Sequence, residues 1–502
     1  MSSNRKQFFI NGILLSLVAL AIRGIGMAFN SYLTRSVGAE GIGLYTLVTS
    51  VYSFGITFAT SGLNLTVTRL VAADIGERGG RGVGRIMRNC LIYALIFSIS
   101  ATAVLLIFSD YFAIRVLADA RAAPPLRALA LSLVPIALTS LFSGYFVGVR
   151  RVAHNAAVSF FSQLARVGVT VFAIIRAIPH GAAATVLALA VCATATELFA
   201  FLFSLIQYLY DRRRNKKRYT GAASPFSAVT NMALPLAVSA YIRSGLLTLE
   251  HILIPKRLRD SGESHTDALA SYGILHGMAL PLLVYPMTPL SSFSGLLVPE
   301  FASGLAAREH GRLSRIASEA INTTLVYSTL CAVLVATFSE ELGWVMYSSW
   351  GAGHYISLMA PVIPIMYLDH VADSMLKGIG EHVYSMWVNI ADSCLSVILV
   401  YVLIPIMGIG GYAVVIVAME GFNFALSATR LYKKIPFRVH PVRCFLLPLA
   451  ASLAASALTR ALFFASGAAA CTFSLALKLV FSVCVFLAIY VPLSKIKARR
   501  SV

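Results

Sequence analysis

Apolar segments long enough to cross a lipid bilayer recur along the whole chain, and they constrain its fold more than any other feature. A helix of about 20 mostly apolar residues spans the hydrocarbon core and satisfies its backbone hydrogen bonds internally. The segments cover residues 8–33, 41–67, 89–109, 127–149, 155–178, 181–210, 225–254, 268–299, 317–338, 355–376, 383–406, 409–429, 444–465 and 472–494. We therefore predict an all-α polytopic membrane protein with about fourteen transmembrane helices.

The amino-acid composition excludes most other classes of protein. Of the 502 residues, 12% are charged and 58% are hydrophobic, whereas a soluble domain averages about 25% charged residues. A soluble enzyme, an intrinsically disordered chain and a disulfide-linked scaffold are therefore excluded. The net charge of +20 would suit a nucleic-acid-binding protein, but the positions of the basic residues favour a basic cytoplasmic face instead. We expect no nucleic-acid partner.

Basic residues are concentrated in alternate connections between the apolar segments. Connections on the side of the N-terminus carry 28 Lys and Arg residues, and those on the opposite side carry nine. Short cytoplasmic loops of membrane proteins are enriched in Lys and Arg. We therefore predict a multi-pass membrane protein with both termini in the cytoplasm.

A repeated pattern divides the chain into two halves. The segment NGILLSLVALAIR, which ends at Arg23, resembles NMALPLAVSAYIR, which ends at Arg243. Seven residues later, Asn30 in the first copy corresponds to Glu250 in the second, and seven residues is about two helical turns, so each polar residue shares the arginine's helical face. The predicted division is an N-terminal lobe of six helices (1–210), a basic cytoplasmic linker (211–220), a C-terminal lobe of six helices (221–432), and two further helices with a cytoplasmic tail (433–502).

Arginines within the predicted spans indicate a binding site for an anion. A charged side chain at mid-bilayer costs roughly 2.5–3.5 kcal/mol, and guanidinium groups bind phosphate oxygens in bidentate fashion. If the two halves face each other, matching arginines would line one cavity suited to a pyrophosphate. The candidate phosphate contacts are Arg23, Arg243, Arg166, Gln163 and Asn30. The alternative is that each arginine is held by a neighbouring carboxylate, for example Arg243 by Asp392.

Carboxylates within the spans indicate coupling to a cation. Asp369, Asp373 and Lys377 follow a four-residue spacing on one helix face, which suits either an ion-pair stripe or a relay for protons or sodium. Asn389 and Asp392 lie one turn apart, where they could hold a small cation or link helices by hydrogen bonds. The coupling-ion candidates are Glu250, Asn389, Asp392, Asp369 and Asp373, and no firm metal site is predicted.

The chain carries no pattern that indicates catalysis. Walker A, HExxH and GxSxG motifs are absent from the sequence, and no segment outside the spans is long enough for a catalytic domain. The polar residues are spread over many spans instead of forming one acid–base or nucleophilic set. We predict a transporter that is not an enzyme and has no resident cofactor.

Three stretches of the sequence resemble one protein family. They are RGIGMAFNSYLTRSVGAEGIGLYTL (23–47), SYGILHGMALPLLVYPMTPLSSFSGLLVPEFA (271–302) and GIGEHVYSMWVNIADSCLSVILVYVLIPIMGIGGYAV (378–414). Together they resemble the stage V sporulation protein B-like polysaccharide exporters of the multidrug/oligosaccharidyl-lipid/polysaccharide (MOP) superfamily. The resemblance implies two six-helix lobes that move lipid-linked saccharides outward in a bacterial cell membrane.

The resemblance also implies roles for individual residues. Related lipid II flippases hold the pyrophosphate with arginines in the cavity; Arg23 corresponds to the first of these, and Arg243 supplies the second from a different span. An Asn and an Asp that bind sodium in those relatives resemble Asn389 and Asp392, one residue closer together. The family pattern Glu-Gln-x-x-Arg is matched by Gln163 and Arg166, with a serine in place of the glutamate.

The predicted function is that of a flippase for an undecaprenyl-pyrophosphate-linked saccharide, a precursor of peptidoglycan or of a polysaccharide. It would move the lipid from the inner to the outer leaflet by alternating access, with sodium or protons as the coupling ion. Cell-wall synthesis proteins are further expected partners, and sporulation is one expected context. The alternatives are a multidrug exporter of the same superfamily, a membrane enzyme acting on polyprenyl phosphate, and a non-transporting scaffold. Paired arginines argue against an exporter of cationic drugs.

Overall fold

The computed structural model describes residues 2–214, 226–465 and 472–500; for several of these, including residues 2–21 and Arg23, it describes the backbone alone. Within these ranges all regular structure is helical, as predicted. The α-helices are α1 (Ser2–Thr60), α2 (Leu63–Arg78), α3 (Val83–Ile107), α4 (Ser109–Tyr111), α5 (Ala123–Ala130), α6 (Leu133–Gly148), α7 (Val152–Ala177), α8 (Ala182–Arg214), α9 (Phe226–Asp260), α10 (His265–Tyr272), α11 (Leu280–Val284), α12 (Thr288–Ala306), α13 (His310–Thr337), α14 (Ser339–Tyr347), α15 (Trp350–Met359), α16 (Ile363–Gly378), α17 (His382–Met407), α18 (Ile409–Lys434), α19 (Leu447–Ala465) and α20 (Thr472–Arg500).

The number of spans is a part of the predicted fold class that the structure does not confirm. Among the described residues, 12 helical segments are long and apolar enough to cross a membrane, or 13 if α5 and α6, bent by 42° at their junction, form one span. The predicted count of fourteen is not confirmed. One of the 12 segments, Gly24–Glu77, has 54 residues and would be about 80 Å long if straight, against about 30 Å of hydrocarbon.

Two glycines break this long segment. Gly38, within α1, has φ 78° and ψ 172°, a conformation open essentially only to glycine. Gly62, between α1 and α2, has φ 69°, and a methyl group on it would lie 2.9 Å from the carbonyl oxygen of Ala233 in α9. The break at Gly38 falls between the predicted windows 8–33 and 41–67. The conformational freedom of glycine therefore allows the helix to break between the two predicted segments.

The chain forms two compact units, one ending at Ile252 and the other beginning at Leu253. In the first unit, α6 packs closely on α2 through Gly144 and Gly148, four residues apart. A methyl group on Gly144 would come within 2.6 Å of the Asn64 carbonyl oxygen. Small residues at this spacing allow helix backbones to approach in a bilayer. Around this contact lies an apolar core that includes Tyr93, Tyr145 and Val229.

The part of α9 before residue 253 belongs to the first unit and packs on the end of α1. The rings of Tyr241 and Phe58 stack at 5.2 Å between centroids, and the Tyr241 hydroxyl is hydrogen-bonded to Ser61. Thr248 Oγ1 donates to the carbonyl of Ser50 at 3.1 Å. The helix that carries Arg243 is thus fixed by its aromatic and hydroxyl side chains. The lobe boundaries predicted from the sequence stay a prediction, and residues 215–220 of the predicted linker lie outside the described residues.

In the second unit, α19 and α20 share an apolar core with α13 and α14. This core contains Leu334, Phe338, Ala455 and Phe486, all buried. Lys478 on α20 forms an ion pair with Glu341 on α14 at 2.8 Å. The final two helices are therefore an integral part of this unit.

Candidate functional site

A polar cluster in the first unit joins three helices. Arg166 Nη2 on α7 donates to Glu197 Oε1 on α8 at 2.8 Å. Gln163, one turn before Arg166, approaches α1, because a methyl group on Gly26 would lie 3.7 Å from Gln163 Nε2. The side chains of Arg166 and Glu197 remain 42% and 24% exposed. Arg166 thus combines an ion pair with N–H groups that a further anion can reach.

The ion pair is what the alternative interpretation predicts for Arg166. A guanidinium carries five donors, and one of them makes the hydrogen bond to Glu197. Bidentate binding of a phosphate needs two of the others. The pairing therefore neutralises the charge of Arg166 in part and fixes the guanidinium in place, and its predicted phosphate contact stays a prediction.

Arg23 and Asn30 lie on α1, on either side of Gly26. The side chain of Arg23 lies outside the described residues, so its predicted phosphate contact is not tested. Asn30 is half-buried. Because Gln163 faces Gly26, the backbone of α1 at this point runs beside the polar face of α7.

Arg243 on α9 differs from Arg166 in its surroundings. Its side chain is exposed, and within the described part of the first unit it makes no hydrogen bond or ion pair. Glu250, two turns further along α9, is buried with 9% of its surface exposed. Of the two polar residues in the second copy of the repeated pattern, Arg243 is therefore exposed and Glu250 is buried.

Carboxylates from three consecutive helices gather in the second unit. Glu420 on α18 interacts electrostatically with Asp369 on α16 and with Asp392 on α17, and all three are half-buried. Ser427 on α18 is hydrogen-bonded to Asp369. The other carboxylate oxygen of Asp369, Oδ1, is buried and has no hydrogen-bond partner in the described chain. We call Asp369, Asp392 and Glu420 the acidic cluster.

The structure separates the predicted ladder on α16 into two parts. Asp373 forms an ion pair with Lys377 at 2.5 Å, as the ion-pair interpretation predicts, whereas Asp369 belongs to the acidic cluster. Asn389 Nδ2 donates to the Ser385 carbonyl of its own helix at 2.6 Å. No group of three or more His, Cys, Asp or Glu side chains in the described ranges has the arrangement of a metal site.

Glu420 is the member of the acidic cluster that the candidate set omits. Its sequence signal is a single carboxylate in the apolar segment 409–429. An isolated intramembrane acid marks a functional site by default, but its partners lie on α16 and α17, and no spacing within one helix identifies them.

Comparison with known proteins identifies the class of the molecule. Its fold is shared with an inward-facing multidrug resistance MATE family transporter of the MOP superfamily (TM-score 0.68, 15% identity, 84% of this chain and 98% of that one). It is also shared with the lipid II flippase MurJ in an inward closed conformation (TM-score 0.73, 12% identity, 95% and 98%). The molecule is thus a polytopic all-α membrane protein with the fold that these transporters share.

Sequence comparison narrows this class to a family. The model of the polysaccharide biosynthesis protein family matches residues 9–305, and the MatE model matches residues 261–402. Stage V sporulation protein B of Bacillus subtilis (strain 168) is 25% identical over 446 residues, which are 86% of this chain and 85% of that protein. Because the first model covers more than half of the sequence, the chain belongs to the polysaccharide biosynthesis protein family.

Proposed function

We propose that the protein is a flippase that moves an undecaprenyl-pyrophosphate-linked saccharide from the inner to the outer leaflet by alternating access. The observation that carries this proposal is Arg243, an exposed guanidinium within a span and without an ion pair in the described part of its unit. Keeping such a charge in a membrane is costly unless a ligand uses it. A pyrophosphate offers the oxygens that a guanidinium binds best.

The relatives support the chemical class of the substrate. One solved structure of the same fold is a lipid II flippase, and the matching family model is that of polysaccharide biosynthesis proteins. In our proposal the headgroup enters beside Arg243 and the Gln163–Arg166 face of α7, with Arg23 and Asn30 from α1 completing the anion site. The polyprenyl chain stays in the lipid.

We further propose that the acidic cluster couples transport to a cation. Glu420 interacts with two other carboxylates, Asp369 and Asp392, and such groups repel unless one of them takes up a proton or a cation lies between them. Asn389, three residues before Asp392, could supply a further oxygen, and Asp373 and Glu250 remain secondary candidates. Sodium and protons both satisfy this chemistry, and a gradient of either would drive the cycle.

Translocation in proteoliposomes tests the proposal. A fluorescent undecaprenyl-pyrophosphate saccharide is placed in one leaflet, and its arrival in the other is measured by an external quencher, with sodium and proton gradients imposed in turn. Lys256→Ala is the matched control for Arg243→Ala, since Lys256 is an exposed cation near the end of the same helix. We expect movement with the wild type and with Lys256→Ala, and movement slower by roughly 100-fold with Arg243→Ala.

Three outcomes would contradict the proposal. Movement at the same rate with Arg243→Ala as with the wild type would show that Arg243, the central residue of the proposal, is not needed for transport. Conversion of the lipid to a new product would indicate a membrane enzyme, and failure to move any of a panel of lipid-linked sugars under either gradient would favour a scaffold. Because the family match spans residues 9–305, the multidrug alternative is not favoured; gradient-driven movement of a cationic dye in the same vesicles would restore it.

A further inference from the structure

A polar cavity lies in the second unit, and its lining includes neither the acidic cluster nor the residues proposed to bind substrate. Its volume is about 510 Å³. One wall is the first half of α13, the opposite wall is the extended segment 436–440 with the turn that begins the next span, and Tyr490 of α20 closes one side. We call it the α13 pocket.

Side chains at four-residue intervals on α13 hold the extended segment in place. Ser318 Oγ accepts a hydrogen bond from the backbone N–H of Arg438 at 2.9 Å. Asn322 donates to the Arg438 carbonyl at 2.9 Å and accepts from the N–H of His440 at 3.0 Å. Ser314 also donates to the carbonyl of Pro436. The backbone of this wall is therefore satisfied by α13, and its side chains are available to a ligand.

The lining of the α13 pocket is strongly cationic. Three arginines line it, Arg315, Arg438 and Arg443, together with His440 and a single carboxylate, Glu319. In the described part of the second unit none of the three arginines forms an ion pair. Arg312, one turn before Arg315, instead pairs with Glu300 and Glu309. Three guanidinium groups around one concave surface, against a single carboxylate, favour an anion as occupant.

The α13 pocket lies where spanning helices end. The candidate spans His310–Thr337 and Val442–Phe463 begin at it, and Phe473–Ser494 ends four residues after Tyr490. Ends of spans lie at the level of lipid headgroups. Val442, Phe445 and Leu446, adjacent to Arg443 and Cys444 in the chain, are exposed apolar side chains. Cationic groups thus lie next to an apolar surface at one boundary of the bilayer.

We propose that the α13 pocket binds the headgroup of an anionic glycerophospholipid, with its acyl chains along Val442, Phe445 and Leu446. Phosphate is the group that arginine clusters between transmembrane helices recognise. By the distribution of Lys and Arg, the pocket belongs to the cytoplasmic leaflet. The lipid would join α13 to the segment that leads into the last two helices. This site is separate from the proposed transport substrate, and its test needs no transport.

Native mass spectrometry of the full-length protein tests this proposal. The protein is delipidated in detergent, titrated with phosphatidylglycerol or phosphatidylcholine, and the bound lipid is counted. Each neutralised arginine is expected to weaken phosphatidylglycerol binding about fivefold, in line with the usual contribution of one basic residue near anionic lipid. Arg315→Gln and Arg443→Gln are the test variants. Arg312→Gln is the matched control, since it removes the same charge one turn away, outside the pocket.

The expected result is tight binding of about one phosphatidylglycerol by the wild type and by Arg312→Gln, and weaker binding by both test variants. A photoactivatable phosphatidylglycerol should label peptides from 311–326 or 438–446. Equal binding by all variants, equal binding of phosphatidylcholine, or labelling confined to other helices would overturn the proposal. So would full displacement of the lipid by inorganic phosphate, which would identify a site for a soluble anion. Thermal unfolding of each variant in detergent verifies that it is folded.

Discussion

Both units carry charged side chains within spanning helices, but the candidate sites of the two units differ in the kind of charge they hold. In the first unit the candidate anion site is built on permanent cations: Arg166 forms an ion pair with Glu197 of the next helix, and Arg243 is exposed. In the second unit Glu420 interacts electrostatically with Asp369 and with Asp392. An arginine cannot lose its charge at any relevant pH, whereas a carboxylate can take up a proton.

This difference indicates that the two units have different functions. A permanent cation needs an anion, which suits the pyrophosphate of the proposed substrate. A group of carboxylates responds to the concentration of protons or sodium, which suits the coupling to a gradient. We infer that substrate recognition belongs to the first unit and energy coupling to the second, and the four predictions below test this division from the largest expected effect to the smallest.

The largest effect is expected from Arg243→Ala. Loss of two charge-assisted hydrogen bonds to a phosphate should cost about 3 kcal/mol, or roughly 100-fold in the rate of translocation. Because the residue serves recognition, the loss should be the same under every gradient. Measured rates with sodium, proton and no gradient test this, and a defect limited to one gradient would break the proposed division.

Removing the acidic cluster should have a smaller and more selective effect. Asp369→Asn together with Glu420→Gln is expected to lower gradient-driven translocation about tenfold, the equivalent of one unit of pKa, while binding of the lipid-linked saccharide stays unchanged. Asp373→Asn is expected to have a smaller effect than the double variant, since Asp373 is already paired with Lys377. Saccharide binding measured by fluorescence polarisation separates the two effects; a loss of binding in the double variant would place recognition in both units.

The Arg166–Glu197 pair should contribute modestly to the stability of the first unit. A double-mutant cycle with Arg166→Ala and Glu197→Gln is expected to give a coupling free energy of about 1 kcal/mol, because both side chains are partly exposed. Thermal unfolding in detergent measures it. A coupling indistinguishable from zero would mean that Arg166 is as independent as Arg243.

The smallest effect concerns the connection between α16 and α17. There the hydrogen bond from Arg430, with a further contribution from Lys434, lowers the pKa of Glu381 below its ordinary value of 4.5. The ionised group therefore stabilises the folded state above pH 4.5, and this contribution is lost as the pH falls through the lower folded pKa. Since the pair is near the surface, the loss should be below about 1 kcal/mol.

Unfolding of the wild type and of Glu381→Gln at pH 7 and pH 3.5 measures this contribution. The wild type should lose slightly more stability on acidification than the variant. An identical response of the two proteins would show that the ion pair contributes nothing to the stability of the folded protein. Charged groups outside the spans would then have no part in the comparison of the two units.

Much of the fold follows from the sequence because the bilayer allows few solutions. Long apolar segments must be helices, and their lengths are set by the thickness of the hydrocarbon core. The break at Gly38 could be located approximately from the gap between two windows, and the Asp373–Lys377 ion pair from its four-residue spacing. These are local features, in which neighbours in sequence are neighbours in space.

Contacts between helices distant in sequence could not be predicted in this way. Lys478 forms an ion pair with Glu341, 137 residues away in the sequence. Asp369 interacts electrostatically with Glu420, which lies two helix connections further along the chain. Lys478, Asp369 and Glu420 are visible in the sequence as costly charges in apolar segments, but their partners depend on tertiary packing. Sequence therefore indicates which side chains need a partner, and only the arrangement of the helices identifies it.

The hydrogen bonds from α13 to the segment 436–440 have a consequence for how the chain can be divided. A protein cut after Lys434 would leave Ser318 and Asn322 on α13 without the backbone groups that they bind, and Glu341 without Lys478. The exposed faces of α13 and α14 would then need other cover. The last two helices thus complete the packing of the second unit. A chain that evolved without them would have needed different side chains to cover the same faces of α13 and α14.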